Sequence, residues 1–381
     1  MTRTLYAYAF LDDLVLLYPV YALLFADTGM SLWQISSLFA LWSVTAVVLE
    51  VPSGALADAV SRRLLLWIGP LFNAVGFTLW VTVPSYGAFA LGFVLWGVGG
   101  ALCSGSLEAL VYDEMERVGA ASLYPQVMGR TRAARLLGTV ASMGLAGPVL
   151  ALGGYPAVGA ASVLACLVAA VAATRLPEHR VPGEQEGAGG GWWATLRAGL
   201  AEARGDRAVQ GALLLVPAVA AVWGSLDEYV PLLIRDLGVA EATVPYLVLL
   251  VWAFVTVGSL FAGVAERLGT RGLAVLIGGA GLALAVGAGL RTPAGIALVG
   301  LAFAGFQLAE VLADVRLQHR IDDARRATLT SVASLGTELV TVAVFGGYAL
   351  LGASMAHSTV FVILSVPYLV TAVVLGVRGR S

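Results

Sequence analysis

Long runs of apolar residues, bounded by glycine, proline and charged positions, make up most of the chain. Twelve of these runs are long enough for a membrane-spanning helix, which needs ~20 residues. They cover residues 5–26, 33–57, 63–83, 86–113, 128–152, 156–175, 208–235, 243–265, 271–290, 294–317, 327–352 and 357–377. Polar and apolar positions do not alternate within them, as they would in the strands of a membrane barrel. The pattern predicts an all-α integral membrane protein with twelve transmembrane helices.

The composition excludes a soluble protein. Of the 381 residues, 59% are hydrophobic and 12% are charged, and the mean hydropathy is +0.88. Soluble domains have about a quarter of their residues charged. The net charge of −2 provides no attraction for nucleic acid. Cys103 and Cys166 both lie within apolar runs, so we interpret them as core residues rather than as a disulfide.

The distribution of arginine predicts the orientation. All 22 basic residues are arginine; with the N-terminus in the cytoplasm, twenty lie on the cytoplasmic side and only Arg235 and Arg291 lie opposite. Cytoplasmic loops carry the excess of positive charge, so we expect both termini to be cytoplasmic. A wrong helix count would mix the two groups. The absence of lysine and the abundance of Ala, Val and Gly suggest a bacterial source, and hence a multi-pass protein of the bacterial cytoplasmic membrane.

Residues 176–206 differ from the other connections in length and polarity. They include the glycine-rich stretch 187–191, followed by Trp192 and Trp193. We interpret them as a cytoplasmic linker that ends in a short interfacial helix, with the tryptophans at the level of the headgroups. The linker separates two predicted six-helix bundles, at residues 1–175 and 207–381.

The two halves resemble each other, because helix four carries Glu108 and Asp113 where helix ten carries Glu310 and Asp314. Two six-helix repeats of the same topology are the layout of one large class of transporters.

The loop between helices two and three carries a family resemblance. Residues 54–63 read GALADAVSRR, which is similar to the pattern G-x-L-A-D-R-x-G-R-R of the major facilitator superfamily; Ala59 and Ser61 depart from it. The resemblance covers essentially the whole chain and implies two pseudo-symmetric bundles that alternate access to a central cavity. It also implies a cytoplasmic gate, in which Asp58 helps to hold that side closed and Glu266 is its counterpart. The predicted gate set is Gly54, Asp58, Arg62, Arg63, Glu266 and Arg271.

Helix five resembles the glycine-rich motif of proton-driven antiporters in this family. Gly144, Gly147 and Pro148 match it, although the following glycine pair, Gly153 and Gly154, falls two residues later than in the motif. The alternative is ordinary packing of small residues between membrane helices.

Carboxylates within the membrane cost on the order of 3 kcal/mol each, so their positions are informative. In the family that the chain resembles, helices one, four, seven and ten line the cavity, and these helices carry most of the acids; helices three, six, nine and twelve lie outside and have none here. The candidates for proton coupling and the substrate cavity are Asp12, Asp13, Glu108, Asp227, Glu228, Glu310, Asp314 and Glu338. For Asp113 and Asp314 the alternative is simple solvation at the cytoplasmic surface. For Glu50 and Glu108 it is a structural ion pair with Arg132 or Arg135.

No arginine is predicted at the depth of Asp12, Asp13, Asp227 or Glu338, so we expect these four to lack a cationic partner. Such carboxylates take up and release protons readily, and they repel anions strongly where the dielectric constant is low. Four aromatic side chains are candidates for stacking on an organic cation, with packing as the alternative; they are Tyr8, Tyr18, Trp223 and Tyr229.

Enzymatic motifs are absent from the sequence: it has no H-E-x-x-H, and a Walker A motif requires lysine. We therefore expect no enzyme, no cofactor and no resident metal. The expected partners are a small-molecule substrate, protons and the lipid bilayer, with no nucleic acid. The sequence predicts a monomeric, proton-coupled exporter of a small cationic or neutral amphipathic molecule. Uptake of a small metabolite or metal ion by symport, and a non-transporting receptor with a transporter fold, stay open.

Overall fold

The computed structural model describes residues 1–179, 207–265, 268–318 and 326–378, and all regular structure within these ranges is helical. The chain divides into two compact units, Met1–Gly189 and Gly190–Ser381. Within the described ranges, nine helical stretches are long and apolar enough to cross a membrane. The all-helical membrane architecture agrees with the sequence analysis, whereas the number twelve and the side of the termini stay predictions.

Seven α-helices form the N-terminal unit as far as it is described. They are α1 (Thr2–Asp12), α2 (Tyr21–Asp27), α3 (Leu32–Ala59), α4 (Arg62–Thr82), α5 (Tyr86–Cys103), α6 (Ser106–Arg117) and α7 (Tyr124–Thr174). Helix α7 bends at Gly154, where φ is 62° and ψ is −164°, a conformation that glycine adopts without a steric penalty. The bend lies between the predicted fifth and sixth spans. Helix α1 packs on α7, α3 on α5, and α4 on both α5 and α7.

The described part of the C-terminal unit contains eight more α-helices. They are α8 (Arg207–Asp227), α9 (Val230–Arg235), α10 (Val244–Leu260), α11 (Ala262–Ala265), α12 (Thr270–Leu290), α13 (Pro293–Gln318), α14 (Arg326–Gly352) and α15 (His357–Arg378). Helix α13 packs on α8, α10 and α12, and α12 also packs on α15. Helices α8 and α14 pack together.

The first predicted span is wrong as a continuous helix, because α1 ends at Asp12 and α2 begins at Tyr21. Pro19 has no backbone N–H and disfavours helix in the residue before it. Polar backbone groups that leave a helix inside a membrane protein need other partners. The backbone N–H of Leu17 finds one in the hydroxyl oxygen of Ser162 on α7, at 3.0 Å.

The seventh and fourth predicted spans are interrupted as well. Helix α8 ends at Asp227 and α9 begins at Val230, with Pro231 in its first turn. Helices α5 and α6 are separated at Gly105, whose φ of 72° lies in the left-handed region that favours glycine. Each of these three breaks falls beside predicted site residues.

Candidate functional site

The acidic end of α1 forms an ion-pair cluster with Arg135 of α7. Arg135 donates a hydrogen bond from Nη2 to Oδ2 of Asp12 at 3.0 Å, and its Nε lies 3.7 Å from Oδ2 of Asp13. The Asp12 side chain is 13% exposed, while Asp13 and Arg135 are 37% and 40% exposed. The expectation that Asp12 and Asp13 lack a cationic partner is therefore wrong.

Close packing of α1 on α7 explains this ion pair. A Cβ atom at Gly138, one turn after Arg135, would overlap the backbone carbonyl oxygen of Phe10. The absence of a side chain at Gly138 lets the two helices approach closely and brings Arg135 beside the end of α1. From the sequence, the depth of each residue is estimated along separate, straight helices, so the close approach of α1 and α7 could not be predicted.

Tyr8 lies one turn before Asp12 and is fully buried in the N-terminal unit. Its hydroxyl oxygen is 3.4 Å from Sγ of Cys103, and either atom is able to donate. The ring is enclosed in the conformation described, and contact with a substrate stays a prediction for Tyr8. Tyr18 is half-buried beside the buried ring of Tyr21, with their centroids 6.1 Å apart.

Glu108 and Asp113 of α6 do not join the Asp12 cluster. Glu108 is exposed; its charge acts on that of Arg135, but no direct ion pair with Arg132 or Arg135 is found among the described residues. Asp113 accepts a hydrogen bond from Nη1 of Arg62 at 2.6 Å, which corrects the alternative that it is merely solvated. The Arg62 side chain is only 8% exposed.

In the C-terminal unit, Glu310 of α13 is bound by an indole. Trp223 of α8 donates from Nε1 to Oε2 of Glu310 at 3.0 Å, and its ring lies 5.6 Å from that of Phe303. Both residues were candidates from the sequence, but nothing in the sequence predicts that they touch. Within the described residues of this unit, no arginine forms an ion pair with Glu310.

The other predicted acids of this unit occupy different positions. Asp227 and Glu228 are half-buried at the break between α8 and α9, Glu338 is half-buried on α14, and Asp314 is exposed. Tyr229 is fully buried, and its ring stacks on Tyr348 with the centroids 3.5 Å apart. Tyr229 is thus enclosed like Tyr8, and its predicted contact with a substrate stays a prediction.

The predicted gate motif is described in part. Ser61, which departs from the family pattern, caps α4 by accepting a hydrogen bond from the backbone N–H of Leu64 at 3.1 Å. Arg62 is paired with Asp113, and Arg63 donates to the carbonyl oxygen of Leu176 at 3.4 Å. The surroundings of Gly54 and the side chains of Asp58 and Glu266 lie outside the described residues. Arg271 lies in the first turn of α12.

Sequence reasoning missed the residues that hold the start of the linker. Glu178 accepts hydrogen bonds from the backbone N–H groups of Arg62, at 2.7 Å, and Arg63, at 3.3 Å. A carboxylate is favourable at the positive end of a helix. His179 donates its backbone N–H to Oε1 of the buried Glu114 at 2.8 Å. Residues 180–206, including the predicted interfacial helix, lie outside the described residues.

The antiporter-like residues all lie within α7, before its bend. Gly147 is buried, whereas Pro148 is exposed and Gly144 borders open space. Neighbouring segments approach α7 closely at two other glycines, Gly138 and Gly159; a Cβ at Gly159 would overlap Val81. The motif assignment stays a prediction. Across the described ranges, no group of three or more His, Cys, Asp or Glu side chains is placed to hold a metal ion.

Two helical units, long apolar helices and breaks beside acidic residues define a multi-pass membrane transporter, since interrupted helices are where such proteins bind substrates and ions. The sequence matches the family model described as Major Facilitator Superfamily over residues 5–345. The chain belongs to this family.

Several solved structures with the same fold are distant in sequence. The D323A mutant of the nucleoside transporter NupG superposes with a TM-score of 0.80 at 13% identity, covering 98% of each chain. A D-xylose–proton symporter gives 0.66 at 15% identity, covering 98% of this chain and 95% of its own. A bacterial homologue of the iron transporter ferroportin, in an inward-facing state, gives 0.72 at 16% identity, covering 99% and 96%. No curated protein matches the sequence. These similarities establish the fold and leave the substrate open.

Proposed function

We propose that this protein is a proton-coupled secondary active transporter of the bacterial cytoplasmic membrane, which exports a small cationic or neutral amphipathic molecule by antiport. Alternating access by its two bundles is the mechanism that the family fold supports. The family match indicates a transporter; the coupling ion, the direction of transport and the cargo are what we propose.

The observation that carries the proposal is the contact between Glu310 and Trp223. A neutral indole N–H stabilises an ionised carboxylate without supplying a compensating charge, so the negative charge of an ionised Glu310 is left for a proton or a cation to compensate. An indole ring beside a carboxylate is also a suitable partner for an organic cation, although Trp223 is buried in the conformation described, with 8% exposure. Protonation of Glu310 removes the charge and weakens both interactions, which gives a physical basis for exchanging a cation for a proton.

The cluster in the N-terminal unit supports the same selectivity. Arg135 faces two carboxylates, Asp12 and Asp13, so one negative charge remains when all three are ionised. Negative charge in a low-dielectric environment attracts cations and repels anions. An anionic cargo is therefore disfavoured in this unit as well.

A liposome assay tests the proposal. The purified protein is reconstituted with a pH-sensitive dye inside, a proton gradient is imposed, and lipophilic cations, neutral drugs and anions are added in turn. We expect cations to elicit proton movement through the wild type, and the Glu310→Gln variant to lose this response while remaining folded. Glu241→Gln is the matched control, because Glu241 is an exposed acid of the same unit that is not among the predicted site residues.

Three outcomes would change these assignments. Proton movement at the wild-type rate in Glu310→Gln would contradict the role of Glu310. Proton movement in the same direction as the solute would replace antiport by symport, the coupling of the D-xylose–proton symporter. Silence towards the whole panel would favour a narrow-substrate importer or a non-transporting receptor.

A further inference from the structure

A groove of about 510 Å³ lies between α12 and α15. It is lined by Arg271, Ala274, Val275, Ala372, Val373 and Gly376. Its volume is within the ~300–1,000 Å³ that is typical of small-molecule sites. Val275 and Val373 are 75% and 66% exposed, so the apolar walls face outward. These two helices correspond to spans nine and twelve, which the family resemblance places against lipid.

The groove arises because α12 and α15 separate towards one end. Further along α12, a Cβ at Gly278 would lie 3.2 Å from that of Ala372, and a Cβ at Gly281 would lie 3.2 Å from Tyr368, so the helices are close there. At Gly376, near the end of α15, a Cβ would meet no atom within 4 Å. Small residues thus leave the groove open and apolar at the end where α12 begins.

Positive charge accompanies the open end. Arg271 lines the groove from the first turn of α12. Arg316 donates to the carbonyl oxygen of Leu268 at 2.7 Å, in the segment that leads into α12. The arginine distribution predicts that this end is cytoplasmic, and the cytoplasmic leaflet carries the anionic lipids that basic pockets between membrane helices bind.

We propose that this groove binds an anionic phospholipid of the cytoplasmic leaflet. The phosphate contacts the guanidinium of Arg271, and one acyl chain lies along Val275, Val373 and the open space at Gly376. The groove shares Arg271 with the predicted gate set and contains none of the acids proposed for proton coupling, so its lipid does not depend on the direction or cargo of transport.

Native mass spectrometry of the detergent-purified protein tests the proposal. Phosphatidylglycerol and phosphatidylcholine with identical acyl chains are added in equal amounts, and the lipid retained by each variant is counted. We expect the wild type and Arg271→Lys to retain phosphatidylglycerol selectively. Arg271→Gln should reduce this selectivity by about fivefold, the effect of one arginine near an anionic surface. Gly376→Leu should reduce retention by filling the groove while keeping the charge.

Two controls match these variants. Arg3→Gln removes an exposed arginine from the N-terminal unit, and Gly279→Leu adds the same side chain at an exposed position of α12 that also borders open space but does not line the groove. Both should retain lipid as the wild type does. Equal retention of the two lipids, or wild-type retention by Arg271→Gln and Gly376→Leu, would overturn the proposal. Displacement by glycerol 3-phosphate would also overturn it, since that result would indicate a headgroup site without an acyl chain.

Discussion

At the scale of single residues, one arginine serves two carboxylates at the end of a broken helix. Arg135 contacts Asp12 and Asp13 with all three side chains partly buried. Exposed ion pairs contribute ~0–1 kcal/mol, whereas removing one partner of a buried pair costs ~3–5 kcal/mol. The partial exposure of Arg135 places this cluster between the two cases.

Replacing Arg135 tests that balance. We expect Arg135→Gln to lower the free energy of unfolding by ~1–3 kcal/mol, between the exposed and buried limits, because two like charges then remain unneutralised. Asp12→Asn in the same background should restore part of the loss. Denaturation of the wild type, the two single variants and the double variant measures the coupling free energy between Asp12 and Arg135. Strictly additive effects would show that the ion pair contributes nothing.

At the scale of secondary-structure elements, glycine determines which helices come close. Gly138 is the point where α7 meets the backbone of α1, and this approach brings Arg135 to Asp12. Gly144, two turns further along α7, borders open space. The two positions have the same residue type and helical conformation but different neighbours, and only the packed structure distinguishes them.

The pair provides a matched test of packing. Gly138→Ala should destabilise the protein by ~1–3 kcal/mol, because the added methyl group overlaps the Phe10 carbonyl and forces α1 to move. Gly144→Ala should be neutral or stabilising by up to ~1 kcal/mol, because alanine favours helix over glycine. Thermal unfolding in detergent compares them. Equal melting temperatures would contradict the close contact of α1 and α7.

The helix breaks could be predicted from the sequence only in part. Pro19 and Pro231 are visible signals, yet proline also occurs within intact helices here, at Pro70 and Pro367. What separates the two cases at the first break is tertiary: the hydroxyl of Ser162 accepts the backbone N–H of Leu17. Without such a partner, an irregular segment in the membrane leaves a polar group unsatisfied.

At the scale of the whole molecule, the topology prediction is testable by chemical labelling. In a background with Cys103→Ala and Cys166→Ala, which removes both native thiols, Ala240→Cys places a thiol in a loop predicted to be external, and Ser381→Cys places one at the C-terminus. A membrane-impermeant maleimide should label Ala240→Cys in intact cells, and Ser381→Cys only after permeabilisation. Labelling of Ser381→Cys in intact cells would contradict cytoplasmic termini or the even number of spans.

The sequence by itself determined that this is a helical membrane protein of the Major Facilitator Superfamily. Those conclusions depend on local properties, since the length and hydropathy of each run suffice for insertion and the loop motif is contiguous. The tertiary structure alone decided which polar side chains contact each other. Asp12 and Arg135 are 123 residues apart, and Trp223 and Glu310 are 87 apart. Such contacts depend on where helices break and how closely they pack, and both are decided by side chains on neighbouring helices rather than by the pattern along one of them.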